Sequence, residues 1–223
     1  MGGLMARQGK LSALYVEVLG APQQALPGPL FDIASDLARE IVARPLDYRG
    51  CQRLEALGVD GRFVAELGAM CAIGAGRVQL SPDGARWEPH GPDARLLLAV
   101  AECGALADII AVSTTHPDQV ARRTGFGWCL GFERYEEALA AAVLAERRVS
   151  LRIFPDPLEW LRGRARGICV LDWGLALPQL RGLGERVTLE CDAGAGARIR
   201  ALLEIGGLPR VTELPPRASA IAA

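Results

Sequence analysis

Apolar residues recur at helical spacing from Asp32 to Ala43, where Ile33, Leu37 and Ile41, with Ala34 and Ala38, make one stripe. This predicts a first helix that Pro45 stops. Shorter helices are predicted over Cys51 to Leu57, ended by Gly58, and over Arg62 to Met70 after the Asp60-Gly61 turn. The pattern then turns to β. Arg77 to Leu80 and Ala85 to Glu88 flank the turn Ser81-Pro82-Asp83-Gly84, and Arg95 to Glu102 and Ala105 to Ser113 flank Cys103-Gly104. Two successive hairpins predict a four-stranded antiparallel meander across 77–113. The run Leu96 to Ala101 also fits a buried helix. After a loop-rich stretch over 114–133, Glu133 to Arg148 has good helix formers throughout, acids first and arginines last.

From residue 149 the rhythm is strand, helix, strand. Strands are predicted over Val149 to Phe154, Gly167 to Asp172, Arg186 to Asp192 and Arg210 to Leu214. Helices over Pro157 to Arg162, Ala176 to Leu183 and Ala195 to Ile205 separate them. Such alternation predicts one mainly parallel sheet. The fold class expected is therefore α+β: N-terminal helices and an antiparallel β-meander, then a small parallel α/β unit. The expected divisions are a flexible arm over 1–30, an α+β region over 31–131 and the parallel unit over 132–223, with a frayed tail from Arg217.

Composition changes this picture little. The chain of 223 residues is 50% hydrophobic and 23% charged, as an ordinary globular protein is. Its formal net charge of -1 supplies no field that would draw it strongly to nucleic acid or to an anionic membrane. All basic residues but Lys10 are Arg. The six cysteines stand 20 or more residues apart, mostly with apolar neighbours, so reduced core thiols are expected rather than zinc sites or disulfides. That usage, with no signal-peptide core and no run near the roughly 20 apolar residues of a membrane span, favours the cytoplasm and no membrane partner.

Ligands of parallel α/β sheets bind beyond the carboxyl ends of the strands. Two predicted strands end there in acids, at Asp172 and at Asp192. Parallel strands would place both on one rim, where two carboxylates suit Mg²⁺. Glu190 lies two residues before Asp192, and the turn after it carries Gly194, Gly196 and Arg198, a candidate phosphate cradle at a helix start. Plain roles remain open beside these, because Asp commonly caps helices and Gly commonly closes tight turns. The four tryptophans read more simply as packing anchors than as base-stacking platforms, and the basic run Arg162, Arg164 and Arg166, which suits contact with phosphates, reads more simply as a solvated turn. His90 and His116 lie in loops with no partner motif.

The segments 168–177 and 188–198, with the closing Arg210-Val211-Thr212-Glu213-Leu214-Pro215-Pro216, resemble a Toprim domain, the α/β module of bacterial primases and type IA and II topoisomerases. The resemblance implies a Glu at the first strand end and an Asp-x-Asp pair at the later one. Here Asp172 stands at the Glu position and Gly194 at the second Asp. It therefore implies a reduced unit with impaired metal chemistry. Residues 107–112, 116–118, 122–125 and 130–131, with 157–162 and 167–172, resemble uncharacterised proteins of alphaproteobacterial prophages, which carry no activity to transfer.

The function expected is a prophage accessory protein without catalysis or a required cofactor. It would bind nucleic acid or a replication partner through the degenerate Toprim-like unit. Two alternatives stand beside it. One is a Mg²⁺-dependent phosphoryl-transfer or nuclease-type enzyme using Asp172, Asp192 and Glu190. The other is a structural homo-oligomer, for example a dimer.

Overall fold

The structure, a computed structural model, describes residues 29–203 and 210–214. Most of the expected arm, and the tail, lie outside them. Helix α1 (Pro29–Val42) is followed by α2 (Tyr48–Ala56) and α3 (Gly61–Ala69). Asp47 caps α2 by accepting from the Gly50 N–H at 2.7 Å, and Asp60 caps α3 by accepting from Arg62 and Phe63. Of the expected α1 stripe, Leu37 and Ile41 are buried, while Ala38 faces water.

Five strands follow: β1 (Ile73–Leu80), β2 (Trp87–Pro89), β3 (Asp93–Glu102), β4 (Ala105–Val112) and β5 (Val120–Arg122). The sheet is antiparallel in the order β2-β1-β3-β4-β5. The order departs from a strict meander, because β3 docks on β1 rather than on its predecessor β2. Strand β2 is three residues long and ends at Pro89, whereas β1 offers β3 a six-residue ladder. The ambiguous run Leu96–Ala101 is strand. It reads as continuously apolar because both faces of the sheet are covered. Leu97, Ile109 and Ala111 pack under α1, while Leu96, Leu98, Val100, Ile110 and Val112 face the opposite way.

The second sheet comprises β6 (Cys129–Leu130), β7 (Val149–Phe154), β8 (Ile168–Val170), β9 (Val187–Asp192) and β10 (Arg210–Leu214). Its order is β10-β9-β7-β8-β6, parallel throughout except where β6 joins β8. The expected parallel unit is thus present, with β6 recruited from before residue 132. Helices α4 (Phe132–Val143), α6 (Trp173–Gly182) and α7 (Ala195–Leu203) supply the core against Leu151, Ile153, Val187 and Leu189. Helix α4 stops short of the expected Arg148, and the chain turns through Glu146, at φ 50°, to enter β7. Helix α5 (Pro157–Arg162) lies on the other face, capped by Asp156.

The two sheets share one core. Phe154, Leu158, Trp160, Leu161, Cys169 and Leu130 pack with Leu98, Val100, Ile110 and the residues of α2 and α3. Each such fully buried large side chain contributes about 1.5–3 kcal/mol, so the carboxyl edge of the second sheet is fixed relative to the first.

No cysteine is in a disulfide among the described residues. Cys129, Cys169 and Cys191 are buried as expected, but Cys71 and Cys103 are exposed. Both of the latter take a left-handed backbone (φ 53° and 50°) at turns, so their apolar neighbours misled. No helix among the described residues is long and apolar enough to cross a membrane.

Candidate functional site

Asp172 and Asp192 emerge at the same carboxyl edge, separated by β7. Each is engaged by its own arginine. Asp172 caps α6, accepting from the Leu175 N–H at 3.2 Å, and its second oxygen accepts from Arg122 at 2.8 Å. Arg122 comes from β5 of the first sheet. Its guanidinium also donates to the carbonyls of Gly125 and Gly127 and lies 3.5 Å from Asp108. Asp108 is fully buried. It accepts from the backbone N–H groups of Ile109, Arg123, Thr124 and Gly125 at 2.8–2.9 Å. Partial burial pushes the Asp172 pKa up, but the Leu175 N–H and Arg122 outweigh it and hold the carboxyl below the usual range. Nearby Glu102 behaves oppositely. Burial raises its pKa despite hydrogen bonds from the Trp128 and Cys129 N–H groups.

Asp192 pairs with Arg152 of β7. Arg152 stands opposite Glu190 in register, and its guanidinium lies 5.3 Å from the Phe154 ring centroid. Its Nε is buried without a hydrogen-bond partner among the described residues. Glu190 is half-buried and has no ion-pair partner among them. Strand β7 leads to β8 on one side, and β9 leads to β10 on the other. The Arg152–Asp192 pair therefore sits where the chain direction reverses across the sheet, the crevice that takes ligands in open α/β folds.

The Gly turn opens α7 as expected. Gly194 has φ +89°, and its N–H donates to Glu213 at 3.1 Å. A Cβ at Gly196 would meet the same carboxylate at 2.5 Å, and Arg200 approaches it at 3.5 Å. A carboxylate of the chain itself thus sits at the helix start where a phosphate was expected. Arg198 is exposed, and Ile199 is core. Among the described residues no group of three or more His, Cys, Asp or Glu side chains is placed to hold a metal ion.

Trp87, Trp128 and Trp160 are packing anchors, with Trp87 and Trp160 donating to the carbonyls of Ile109 and Gly167. The sequence pattern singles out none of Asp108, Arg122, Arg152 and Glu213 as a site residue. One signal was present: Asp108 is the lone charge within the apolar strand Ala105–Val112. Compared with protein-family models, with curated proteins and with solved structures, the chain matches none.

Proposed function

We propose that the protein is a non-catalytic accessory protein, of prophage type, that binds a nucleic acid or a replication protein through the carboxyl edge of its second sheet. One observation carries this reading. The edge acids Asp172 and Asp192 are committed to Arg122 and Arg152, and the α7 turn to Glu213. A metal shared by the two acids would have to compete with both arginines. A binding edge needs no such rearrangement.

Of the two partners, a protein fits better. The net charge of -1 offers little counterion release on nucleic acid. Phe126 and Leu175 are exposed beside the Arg122–Asp172 pair, Phe126 between the two glycines that Arg122 holds. An aromatic and an aliphatic side chain beside a fixed arginine is the composition of an interface centre.

The test is incubation with supercoiled and single-stranded DNA with millimolar Mg²⁺ or Mn²⁺, alongside thermal unfolding. The expected result is no nicking, no primer synthesis and little metal-induced rise in melting temperature. Metal-dependent cleavage that Asp192→Asn abolishes would replace this reading with the phosphoryl-transfer enzyme.

A further inference from the structure

At the opposite, amino edge of the second sheet a cavity of about 220 Å³ lies between α4, the first four residues of β7 and the turn before β8. Arg134, Glu137, Ser150, Arg152 and Arg166 are the charged or hydroxyl-bearing residues among those that line it. The cavity is smaller than the roughly 300–1,000 Å³ of sites for drug-sized ligands, so it suits a single polar group. Two arginines, Arg134 and Arg166, line it beside one carboxylate-bearing residue, Glu137. Arg134 is held by Glu137 at 2.7 Å and donates to the Ala165 carbonyl at 3.4 Å, while Arg152 is paired with Asp192 outside the cavity. Arg166 is exposed and has no ion-pair partner among the described residues.

The turn that places Arg166 is itself unusual. Arg164 and Ala165 are consecutive non-glycine residues in the left-handed region, at φ 53° and 52°. Chains hold such backbone only where the surroundings enforce it. Here the enforcement comes from Trp160, whose indole N–H donates to Gly167 and whose carbonyl accepts from Ala165, and from Arg134. Relaxing the turn would withdraw Arg166 from the cavity wall.

We infer that this cavity binds a phosphate monoester, the group whose charge and several acceptor oxygens match clustered arginines in a small space. Arg166 supplies the uncommitted charge, Arg134 a second guanidinium and Ser150 a hydroxyl. The site lies at the other edge from the acids, so it stands or falls independently of the accessory-protein reading. The same group could come from a free nucleotide or from the 5′ end of an oligonucleotide.

Calorimetric titration of the full chain with inorganic phosphate, a nucleoside 5′-monophosphate, the matching nucleoside, and 5′-phosphorylated and 5′-hydroxyl oligonucleotides tests it. The phosphate-bearing probes should bind and the other two should not. Arg166→Ala should weaken binding by about tenfold or more, as loss of one charge-assisted contact does. Glu137→Gln, which frees Arg134, should strengthen it. Neither surface change should prevent folding, which circular dichroism checks. A phosphorylated oligonucleotide binding more tightly than the nucleotide identifies a nucleic-acid end as the source, and equal affinities identify the nucleotide. Failure of the phosphate-bearing probes to bind at millimolar concentration, equal binding of the probes without phosphate, or undiminished binding by folded Arg166→Ala overturns the inference.

Discussion

Replacing Arg122 with Met tests whether the edge acids belong to the scaffold. The side chain is 13% exposed and its guanidinium reaches two carboxylates and two carbonyls. Methionine keeps much of the stem's packing but removes the charge and every donor. Removing one partner of a buried ion pair costs about 3–5 kcal/mol. Two facts place Arg122→Met at the lower end. Asp108 keeps four backbone donors, and Asp172 is 35% exposed and can recover water. The expected loss is about 3 kcal/mol, a fall in Tm of roughly 6–12 °C for a chain of this size. Asp172→Asn retains a helix cap and gives up only a partly solvated pair, so it should cost about 1 kcal/mol or less. Urea unfolding followed by far-UV circular dichroism measures both. A loss below about 1 kcal/mol for Arg122→Met, or an equal loss for the two variants, would refute a network centred on buried Asp108.

The remaining expectations concern titration, thiols and a glycine. Asp172 has a folded pKa below its unfolded value, so its contribution is complete at neutral pH and is lost as pH falls through the folded pKa. Glu102 has the opposite sign: its burial costs stability at neutral pH, and that cost shrinks as pH falls through its raised folded pKa. Glu102→Gln should therefore match or exceed the parent in Tm at pH 7, with the gap closing toward pH about 4.3, the ordinary Glu value; a variant less stable at neutral pH than at acid pH, relative to parent, contradicts this. A thiol reagent should label Cys71 and Cys103 in the native protein, with Cys103 slowed because partial desolvation of its thiol and the nearby Glu136 and Glu102 charges raise its pKa, and reach Cys129, Cys169 and Cys191 only after unfolding; mass spectrometry of labelled peptides counts them. Gly131→Ala puts a Cβ 2.3 Å from the Gly167 carbonyl at φ +76° and should cost more than Gly104→Ala, which meets nothing at φ +77° and costs about 1–2 kcal/mol; equal thermal shifts would contradict the close approach.

The elements most legible in the sequence were those that local chemistry delimits on both sides. β7, α5 and β10 begin and end where the pattern places them, because Pro155, Pro157 and Pro215 and the apolar alternation fix them without help. The start of α6 lies at Trp173, three residues before the predicted Ala176. Trp173-Gly174 reads as a turn until Asp172 is seen capping the helix. The order of the first sheet was not legible either, since which neighbour β3 chooses depends on the relative lengths of β1 and β2. At the site, the positions of both acids at one carboxyl edge followed from the alternation of strands. Their partners did not. Arg122 is 50 residues from Asp172 and Arg152 is 40 residues from Asp192, and only the packed core brings them together. Glu213 reaches the Gly194 turn across 19 residues for the same reason.

Those distant partners decide what the acids mean. Catalytic carboxylates are commonly held against one another or away from water, so neutralising one relieves strain and leaves a protein at least as stable as before. At this edge each acid faces a guanidinium, and neutralising it removes attraction. Asp172 additionally anchors α6, and through Arg122 it ties the loop over 122–128 and β5 to the second sheet. Asp192 is the only charge partner of Arg152 among the described residues, and that guanidinium already carries a buried Nε without an acceptor. The two Asn substitutions should therefore lower stability, Asp172→Asn by the loss given above. A rise in melting temperature for either would show repulsion where the geometry places attraction, and would return these acids to the candidates for metal chemistry.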